Sequence, residues 1–165
     1  VSEDDWYNNA VSTLTNAGII DGYEDGTFKP NGNITRAEFA TIAVRFFEAT
    51  YDGGDLFSDI AGHWAQEYIN EAANAGIVDG YPDGTFRPQQ YITRAEAMTI
   101  LGRIQNKGYV RSELTFSDAG DVASWALPYV QSLVGQGIIS GYDNQLRPND
   151  PVKRSEVAKM LYAIL

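Results

Sequence analysis

Three arginines occupy equivalent positions at the start of predicted helices, where a cation is not expected. The stretches ITRAEFATI, ITRAEAMTI and VKRSEVAKM place Arg36, Arg94 and Arg154 in the first helical turn. The helix dipole disfavours a positive charge there by about 0.3–1 kcal/mol. Free amides at a helix N-terminus and the planar fork of a guanidinium together suit a carboxylate or a phosphate. The pattern therefore predicts anion binding by surface arginines that contribute little to stability, with pairing to a nearby carboxylate as the alternative.

The neighbours of two of these arginines form a helix-capping pattern. Thr35 is followed three residues later by Glu38, and Thr93 is followed in the same way by Glu96. A threonine hydroxyl can accept a hydrogen bond from the third helical amide while the glutamate reaches back to the cap amide. In the third copy Lys153 replaces the threonine, and only the glutamate remains. The capping pattern explains the threonine and the glutamate but leaves the arginine unexplained.

The whole chain is built from three copies of one unit, which begin near Trp6, Trp64 and Trp125. The leads LFSDI and TFSDA precede the second and third copies. The first copy has no such lead because the chain starts at Val1, so we interpret it as N-terminally truncated. The repeat predicts three modules that form one compact unit. Their bounds are 1–52, 53–112 and 113–165.

Each module reads as helix, loop, helix. Apolar residues follow helical spacing in the first helix: Trp6, Ala10, Leu14 and Ala17. Gly18 is placed to end that helix in a left-handed conformation, and Gly76 repeats this ending. A second apolar face follows the first ITRAE motif: Ala37, Ala40, Ala43, Val44 and Phe47. Because six short helices are not stable singly, they must share a core. The predicted fold is an all-α bundle with pseudo-three-fold symmetry, whose least patterned links are 48–55 and 106–114.

Composition excludes several classes of function. The chain has 165 residues, 44% of them hydrophobic, and a formal net charge of −10. Such an acidic chain lacks the basic face that nucleic-acid binding needs, and an anionic ligand would depend on local cations. Its apolar runs are far shorter than a membrane span, so no membrane insertion is expected. The absence of cysteine excludes disulfides, thiolate metal sites and cysteine nucleophiles.

Metal binding and catalysis are the weaker interpretations of the motifs. The stretch DGYEDGTFKPNG resembles a calcium loop, but Tyr23 and Gly32 occupy two positions that need oxygen ligands. Its Asp and Gly residues are typical of turns. His63 is the only histidine, which is too few for a repeated triad or zinc site. Glu38 and Glu96 are accounted for by capping. We therefore expect no metal, no cofactor and no enzymatic activity in this chain.

Together these motifs resemble the S-layer homology domain in its usual set of three tandem modules. The resemblance rests on FSDI and HW at 57–64, on AGIVDGYPDGTFRP at 75–88 and on the two ITRAE motifs. It implies a spindle-like, pseudo-three-fold helical assembly that attaches an exported protein non-covalently to the bacterial cell wall. The implied ligand is an anionic secondary cell wall polysaccharide that ends in pyruvylated N-acetylmannosamine, bound in grooves between adjacent modules.

In that family the arginine meets the ligand's carboxylate, the glycine of the GY pair lets the sugar approach the backbone, and a tryptophan of the next module lies against the sugar. The resemblance therefore implies three residue sets for ligand binding. They are Gly22, Arg36 and Trp64; Gly80, Arg94 and Trp125; and Gly141, Arg154 and Trp6. The third set departs from the pattern, because Lys153 and Ser155 replace threonine and alanine and YDNQLRP lacks the DGTF turn.

The resemblance implies an extracellular location at the cell surface or cell wall, with S-layer neighbours for a full-length protein. Two alternatives stay open for the partner. Some relatives bind modified peptidoglycan, which also carries carboxylates, and a repeat protein can serve protein–protein contacts without any glycan. A tryptophan that opens a helical stripe can equally be part of the core. The protein-interaction alternative gives no role to the repeated arginine, glycine and tryptophan.

Overall fold

The computed structural model describes residues 5–105 and 112–165, and its regular structure is helical. Within those ranges only isolated β-bridges occur, without a strand, which confirms the all-α class. The predicted link 106–114 lies mostly outside the described residues. The described part of the chain has six α-helices: α1 (Asn8–Asn16), α2 (Arg36–Phe47), α3 (Gln66–Asn74), α4 (Arg94–Gln105), α5 (Leu127–Gly135) and α6 (Arg154–Ile164), with one short 3₁₀ helix at Ala119–Asp121.

The helices pair between modules in a cyclic order. The second helix of each module packs on the first helix of the next, so α2 packs on α3, α4 on α5, and α6 returns to α1. In addition α4 contacts both α2 and α6. This closed order is the pseudo-three-fold arrangement that the repeat predicts.

One hydrophobic core runs through all three modules. Ala10 and Leu14 are buried as expected, but three residues of the predicted apolar stripes are not in the core. Trp6 precedes α1 and is 59% exposed, Ala17 follows the helix at the surface, and Phe47 is 49% exposed at the end of α2. Trp6 and Ala17 lie outside α1, so they no longer follow its buried face, and Phe47 lies in the last turn of α2, where the helix reaches the surface.

Glycine ends the first helix of a module as predicted. Gly18 and Gly76 have φ angles of +71° and +73°, a region that side chains disfavour. The chain then turns back, and the amide of Ile19 donates to the carbonyl of Leu14 at 2.9 Å. This ending directs the chain into a loop that leads to the second helix. We call these loops loop 1 (21–34), loop 2 (79–92) and loop 3 (140–152).

The three loops meet through backbone hydrogen bonds just before α2, α4 and α6. The amide of Ile92 donates to the carbonyl of Ile34 at 2.9 Å, and the amide of Val152 donates to Ile92 at 3.1 Å. The side chains of these three residues are at most 1% exposed. The starts of the three second helices are therefore brought together around a buried apolar centre.

Candidate functional site

Three grooves lie at the module boundaries, each bordered by a GY loop and by the tryptophan of the next module. Groove 1–2 contains Gly22 and Trp64 and has a volume of about 1090 Å³. Groove 2–3 contains Gly80 and Trp125, with about 520 Å³. Groove 3–1 has about 240 Å³ and is lined by Gly141 and Trp6. The structure thus brings each predicted glycine and tryptophan together.

The three tryptophans lie at the surface of the grooves. Trp6, Trp64 and Trp125 are 59%, 62% and 53% exposed. The alternative that they belong to the core is therefore wrong. A large indole left in water beside a concave surface is available to stack on a ligand.

The arginines fall into different grooves from those implied by the resemblance. Groove 1–2 is lined by Arg154, groove 2–3 by Arg36 and groove 3–1 by Arg94. The expected sets placed Arg36 with Gly22, Arg94 with Gly80 and Arg154 with Gly141, and that grouping is wrong. Each arginine extends from its own helix into the loop of the following module. Every groove consequently takes a loop, a tryptophan and an arginine from three different modules.

The same arginines are buried, which overturns the expectation that they lie at the surface. Arg36, Arg94 and Arg154 are 7%, 5% and 4% exposed. Each donates from Nε to a loop carbonyl of the following module, at 2.8–2.9 Å. The acceptors are Phe86 for Arg36, Leu146 for Arg94 and Phe28 for Arg154.

Aromatic rings of the loops enclose these guanidinium groups. The Arg36 guanidinium lies 4.6 Å from the ring centre of Phe86 and 4.9 Å from that of Tyr81. Arg154 has the same surroundings in loop 1, at 4.7 Å from Phe28 and 4.8 Å from Tyr23. Contacts of this kind between a cation and an aromatic face are stabilising, more so when water is excluded.

The three arginines also form ion pairs with the three capping glutamates, in cyclic order. Arg36 pairs with Glu96, Arg94 with Glu156, and Arg154 with Glu38 at 3.3 Å. We call these six residues the inner ring. The alternative interpretation of the arginines, that each pairs with a nearby carboxylate, is therefore confirmed, and the carboxylate belongs to a glutamate of the following module.

Each glutamate of the inner ring has two functions. Oε1 of Glu38 accepts from the amide of Thr35 at 3.3 Å, and the amide of Glu38 donates to the Thr35 hydroxyl at 3.1 Å. Its other oxygen, Oε2, accepts from Arg154. Glu96 repeats this geometry with Thr93 and Arg36. The predicted capping boxes are confirmed, and they are tied to the contacts between modules.

The helix N-termini are not free for an anion. The first two amides of α2 donate to the carbonyls of Gln90 and Pro88 at 2.9 and 3.0 Å, and the third donates to its cap. The start of α4 repeats this with Asp150 and Pro148. Because these amides already have partners, the expectation of free amides beside the arginines is wrong. An anion would have to be bound by side chains of the grooves.

The third capping site is incomplete. The amide of Lys153 donates to Glu156 at 3.1 Å, but the lysine side chain makes no cap hydrogen bond, because an ammonium group cannot accept one. Arg94 is nevertheless paired with Glu156 in the most buried pair of the inner ring, with side chains 6% and 7% exposed. Burial lowers the pKa of Arg94 and raises the pKa of the neighbouring Tyr142 phenol. The substitution at Lys153 therefore changes the cap and leaves the arginine in place.

The FSD leads hold the loops, a role that the sequence pattern did not reveal. Both carboxylate oxygens of Asp59 accept from the amides of Phe86 and Arg87 at 2.8 Å. Asp118 does the same for Leu146 and Arg147. Burial acts to raise the pKa of Asp118, but these two amide hydrogen bonds prevail and lower it. The recurrence of Asp one residue after FS was the available signal.

The phenylalanines of the same leads explain two of the GY glycines. A Cβ on Gly80 would collide with the ring of Phe57 and lie 2.8 Å from the Thr85 carbonyl oxygen. Gly141 has a φ of +72°, and a Cβ there would lie 2.7 Å from Phe116. Glycine is thus required at both positions by the protein's own packing, whether or not a sugar approaches.

A second set of cations in the grooves was also missed by the motif-based reasoning. Arg45 lines groove 1–2 and pairs with Asp21, while Arg103 lines groove 2–3 and pairs with Asp79 at 2.7 Å. Lys159 lines groove 3–1. The signal for Arg45 and Arg103 was a basic residue in the last turn of α2 and of α4, whereas Lys159 lies in the middle of α6.

The acidic turn residues have local partners. Oδ1 of Asp25 accepts from the amide and hydroxyl of Thr27 at 2.9 and 2.6 Å, and Asp83 and Thr85 repeat this turn. These hydrogen bonds lower the pKa of Asp25. Over residues 5–105 and 112–165, no cluster of three potential ligands could hold a metal ion. The helices of those ranges are also too short and too polar to cross a bilayer.

Sequence comparisons identify what the chain is similar to. The model of the S-layer homology domain matches residues 1–40, 56–98 and 115–158. The chain is 44% identical over 115 residues to cell surface glycoprotein 1 of Acetivibrio thermocellus, covering 62% of this chain and 5% of that protein. It is 41% identical over 128 residues to a cellulosome-anchoring protein of the same organism, with coverage of 73% and 28%.

A third relative is the surface-layer 125 kDa protein of Lysinibacillus sphaericus, 34% identical over 157 residues that cover 90% of this chain and 13% of that protein. The chain thus spans only 5% to 28% of the length of these three relatives. Its likeness is to one part of much longer proteins.

Proposed function

Because the chain belongs to the S-layer homology domain family, we propose that it anchors a longer exported protein by binding an anionic cell wall polysaccharide in its grooves. Membership of the family places the chain at the extracellular cell surface or cell wall, in an anchoring role. The proposed glycan end is N-acetylmannosamine with a pyruvate ketal, and S-layer neighbours are proposed partners of the full-length protein.

The observation that carries this proposal is the repeated exposure of one tryptophan in each groove. The three indoles are more than half exposed and are not part of the core, so each leaves apolar surface in contact with water. Each faces a loop whose polar backbone and neighbouring cations can contact a sugar's hydroxyl and carboxylate groups. A pyranose ring has an apolar face that matches an indole, so stacking in each groove gives the tryptophans a function.

We propose ligand-binding roles for all nine residues implied by the resemblance, in the grouping that the grooves have. Trp6, Trp64 and Trp125 stack on the sugar. Gly22, Gly80 and Gly141 leave loop backbone accessible. The inner-ring arginines form the base of each groove and hold the loop in shape, so their main effect on binding is indirect. The proposed sets are Gly22, Trp64 and Arg154; Gly80, Trp125 and Arg36; and Gly141, Trp6 and Arg94.

We propose that the chain itself is not catalytic. In the sole histidine, His63, Nδ1 accepts a hydrogen bond from the amide of Ala65 at 3.1 Å. This contact supports the start of α3. Burial, and then the neighbouring Glu67, raise the pKa of the Glu71 carboxyl, but Glu71 lies outside the linings of the three grooves. A glycan-cleaving pair would need such an acid beside the bound sugar.

The direct test is calorimetric titration with a synthetic N-acetylmannosamine that carries a pyruvate ketal, and with the same sugar without the ketal. We expect binding of the first and at least about tenfold weaker binding of the second, a difference of about 1.4 kcal/mol. Muropeptides form a third arm. Binding of muropeptides in preference to both sugars supports the peptidoglycan alternative, and binding of wall protein alone supports a protein-interaction repeat.

A further inference from the structure

We propose that a second cation in each groove, Arg45, Arg103 or Lys159, makes the direct contact with a carboxylate of the bound wall glycan. The proposal rests on the proposed function and deepens it, because it assigns anion recognition to residues outside the repeated ITRAE motif. The inner-ring arginines then have a structural role, and the second cations determine specificity for a charged glycan.

The second cations are more accessible to a ligand than the inner-ring arginines. The side chains of Arg36, Arg94 and Arg154 are 8%, 6% and 5% exposed, and their guanidinium groups already bind carbonyls and glutamates. By contrast, the side chains of Arg45 and Arg103 are 33% and 25% exposed. A ligand reaches an exposed guanidinium without displacing contacts that hold the modules together.

Arg45 and Arg103 are held by weak contacts that leave hydrogen-bond donors for a ligand. Arg45 pairs with Asp21 and has the ring of Tyr68 5.8 Å away, and Arg103 pairs with Asp79 and has the ring of Tyr129 5.7 Å away. The two aspartates are 64% and 70% exposed, so each ion pair is screened by water and individually weak. A guanidinium has five N–H donors, so one aspartate leaves donors for a carboxylate of the ligand.

Groove 3–1 lacks this arrangement of aspartate, arginine and tyrosine but still has a cation. At the positions equivalent to the aspartate, the arginine and the tyrosine, groove 3–1 has Ser140, Ala163 and Ala10. A cation is present nevertheless, one helical turn earlier, as Lys159. Thr41 and Thr99 occupy that position in the other modules.

Lys159 is placed for contact with a ligand. Its ammonium lies 5.0 Å from the ring centre of Trp6, the tryptophan of the same groove. Lys159 also lines groove 3–1 together with Trp6 and Gly141. The module loses the aspartate and the tyrosine but keeps a groove cation. A purely structural ion pair gives no reason to keep that cation.

The test removes the three second cations together and compares them with three cations outside the grooves. The variant is Arg45→Gln, Arg103→Gln, Lys159→Gln. The control is Lys29→Gln, Arg87→Gln, Arg147→Gln, which removes the same charge from another three-fold set that lines none of the three grooves. Both are titrated with the pyruvylated monosaccharide, the unpyruvylated sugar and a muropeptide.

We expect the groove variant to bind the pyruvylated sugar about tenfold or more weakly than the parent, and the control to bind within about twofold. The unpyruvylated sugar should bind both alike. The proposal is overturned if the groove variant and the control bind the pyruvylated sugar with equal affinity. This holds whether both affinities match that of the parent or both are lower. A parent protein that binds neither sugar overturns the proposed function itself, which is a different result from a binding parent with an unaffected variant.

A charge swap separates ligand contact from a structural ion pair. Asp79→Arg with Arg103→Asp keeps the pair but moves the cation to the loop. If Arg103 contacts the ligand, the swapped protein keeps the parent's melting temperature and binds the pyruvylated sugar more weakly at groove 2–3, measured with Trp6 and Trp64 replaced by alanine. If the swapped protein has both the melting temperature and the affinity of the parent, the proposal is contradicted.

Discussion

The inner ring and the groove tryptophans share the same three-fold recurrence, yet they differ in almost every physical respect. The inner-ring arginines are at most 7% exposed and are bound to carbonyls, glutamates and aromatic rings of a neighbouring module. The tryptophans are at least 53% exposed. A repeated motif residue is therefore not necessarily a ligand residue. Recurrence in the inner ring holds the three modules together, whereas the recurrence of the groove tryptophans is explained by the glycan binding that we propose.

The largest effect on stability should come from the most buried pair of the ring. Arg94→Ala leaves Glu156 buried without its cation, because both side chains are at most 7% exposed. We expect a loss of about 3–5 kcal/mol in the free energy of unfolding. Chemical denaturation measures it, with Arg87→Gln, whose ion pair with Asp83 is exposed, as the matched control. A loss no larger than that of the control would mean that the ring is not structural.

Substitutions at two helix caps should change the free energy of unfolding by smaller amounts and in opposite directions. Thr35→Ala removes the capping hydroxyl of α2 and should destabilise the protein by about 0.5–2 kcal/mol. Lys153→Thr supplies the hydroxyl that α6 lacks and should stabilise it by about 0.5–1 kcal/mol. Thermal melting of both variants checks the signs. A neutral result at both positions argues against capping as the function of the threonines.

The aspartate of the third lead should give a still smaller effect that depends on pH. The pKa of Asp118 is lowered from its ordinary value of 3.8, so its stabilisation is present above that value and is lost as the pH falls through the folded pKa. Asp118→Asn should cost about 0.5–1 kcal/mol at pH 7 and progressively less below about pH 4. Denaturation across this pH range, with the exposed Glu113→Gln as control, measures it. A pH-independent loss contradicts the account.

Local patterns were sufficient to predict the fold class, the glycine ends of the first helices and the capping boxes. Each of these depends on residues within a few positions, such as Thr35 with Glu38 or Gly18 after α1. The partners of the arginines could not be found in this way. Arg36 donates hydrogen bonds to Phe86 and Glu96, which belong to another module, so within its own helix it has the features of an unpaired cation.

The grouping of the grooves failed for a related reason. A resemblance assigns residues to roles, but it leaves open which copy supplies each role. Arg154 lines the groove of Gly22 and Trp64 because α6 returns to α1 and closes the cycle of modules. Ring closure is a property of three packed modules, so no single repeat contains it. The second cations were missed because Lys159 and Arg45 occupy different positions of otherwise similar helices.

The most direct test of the division between the inner ring and the groove tryptophans is one triple variant, Trp6→Ala, Trp64→Ala, Trp125→Ala, measured for melting temperature and for binding to pyruvylated wall polysaccharide. Our account predicts a melting temperature close to that of the parent, since the indoles are mostly exposed, together with loss of binding. Each groove should lose about 1.5–3 kcal/mol of binding free energy, which is the contribution expected from burying a large apolar side chain against the sugar. A folded triple variant that binds the polysaccharide as tightly as the parent would contradict the account.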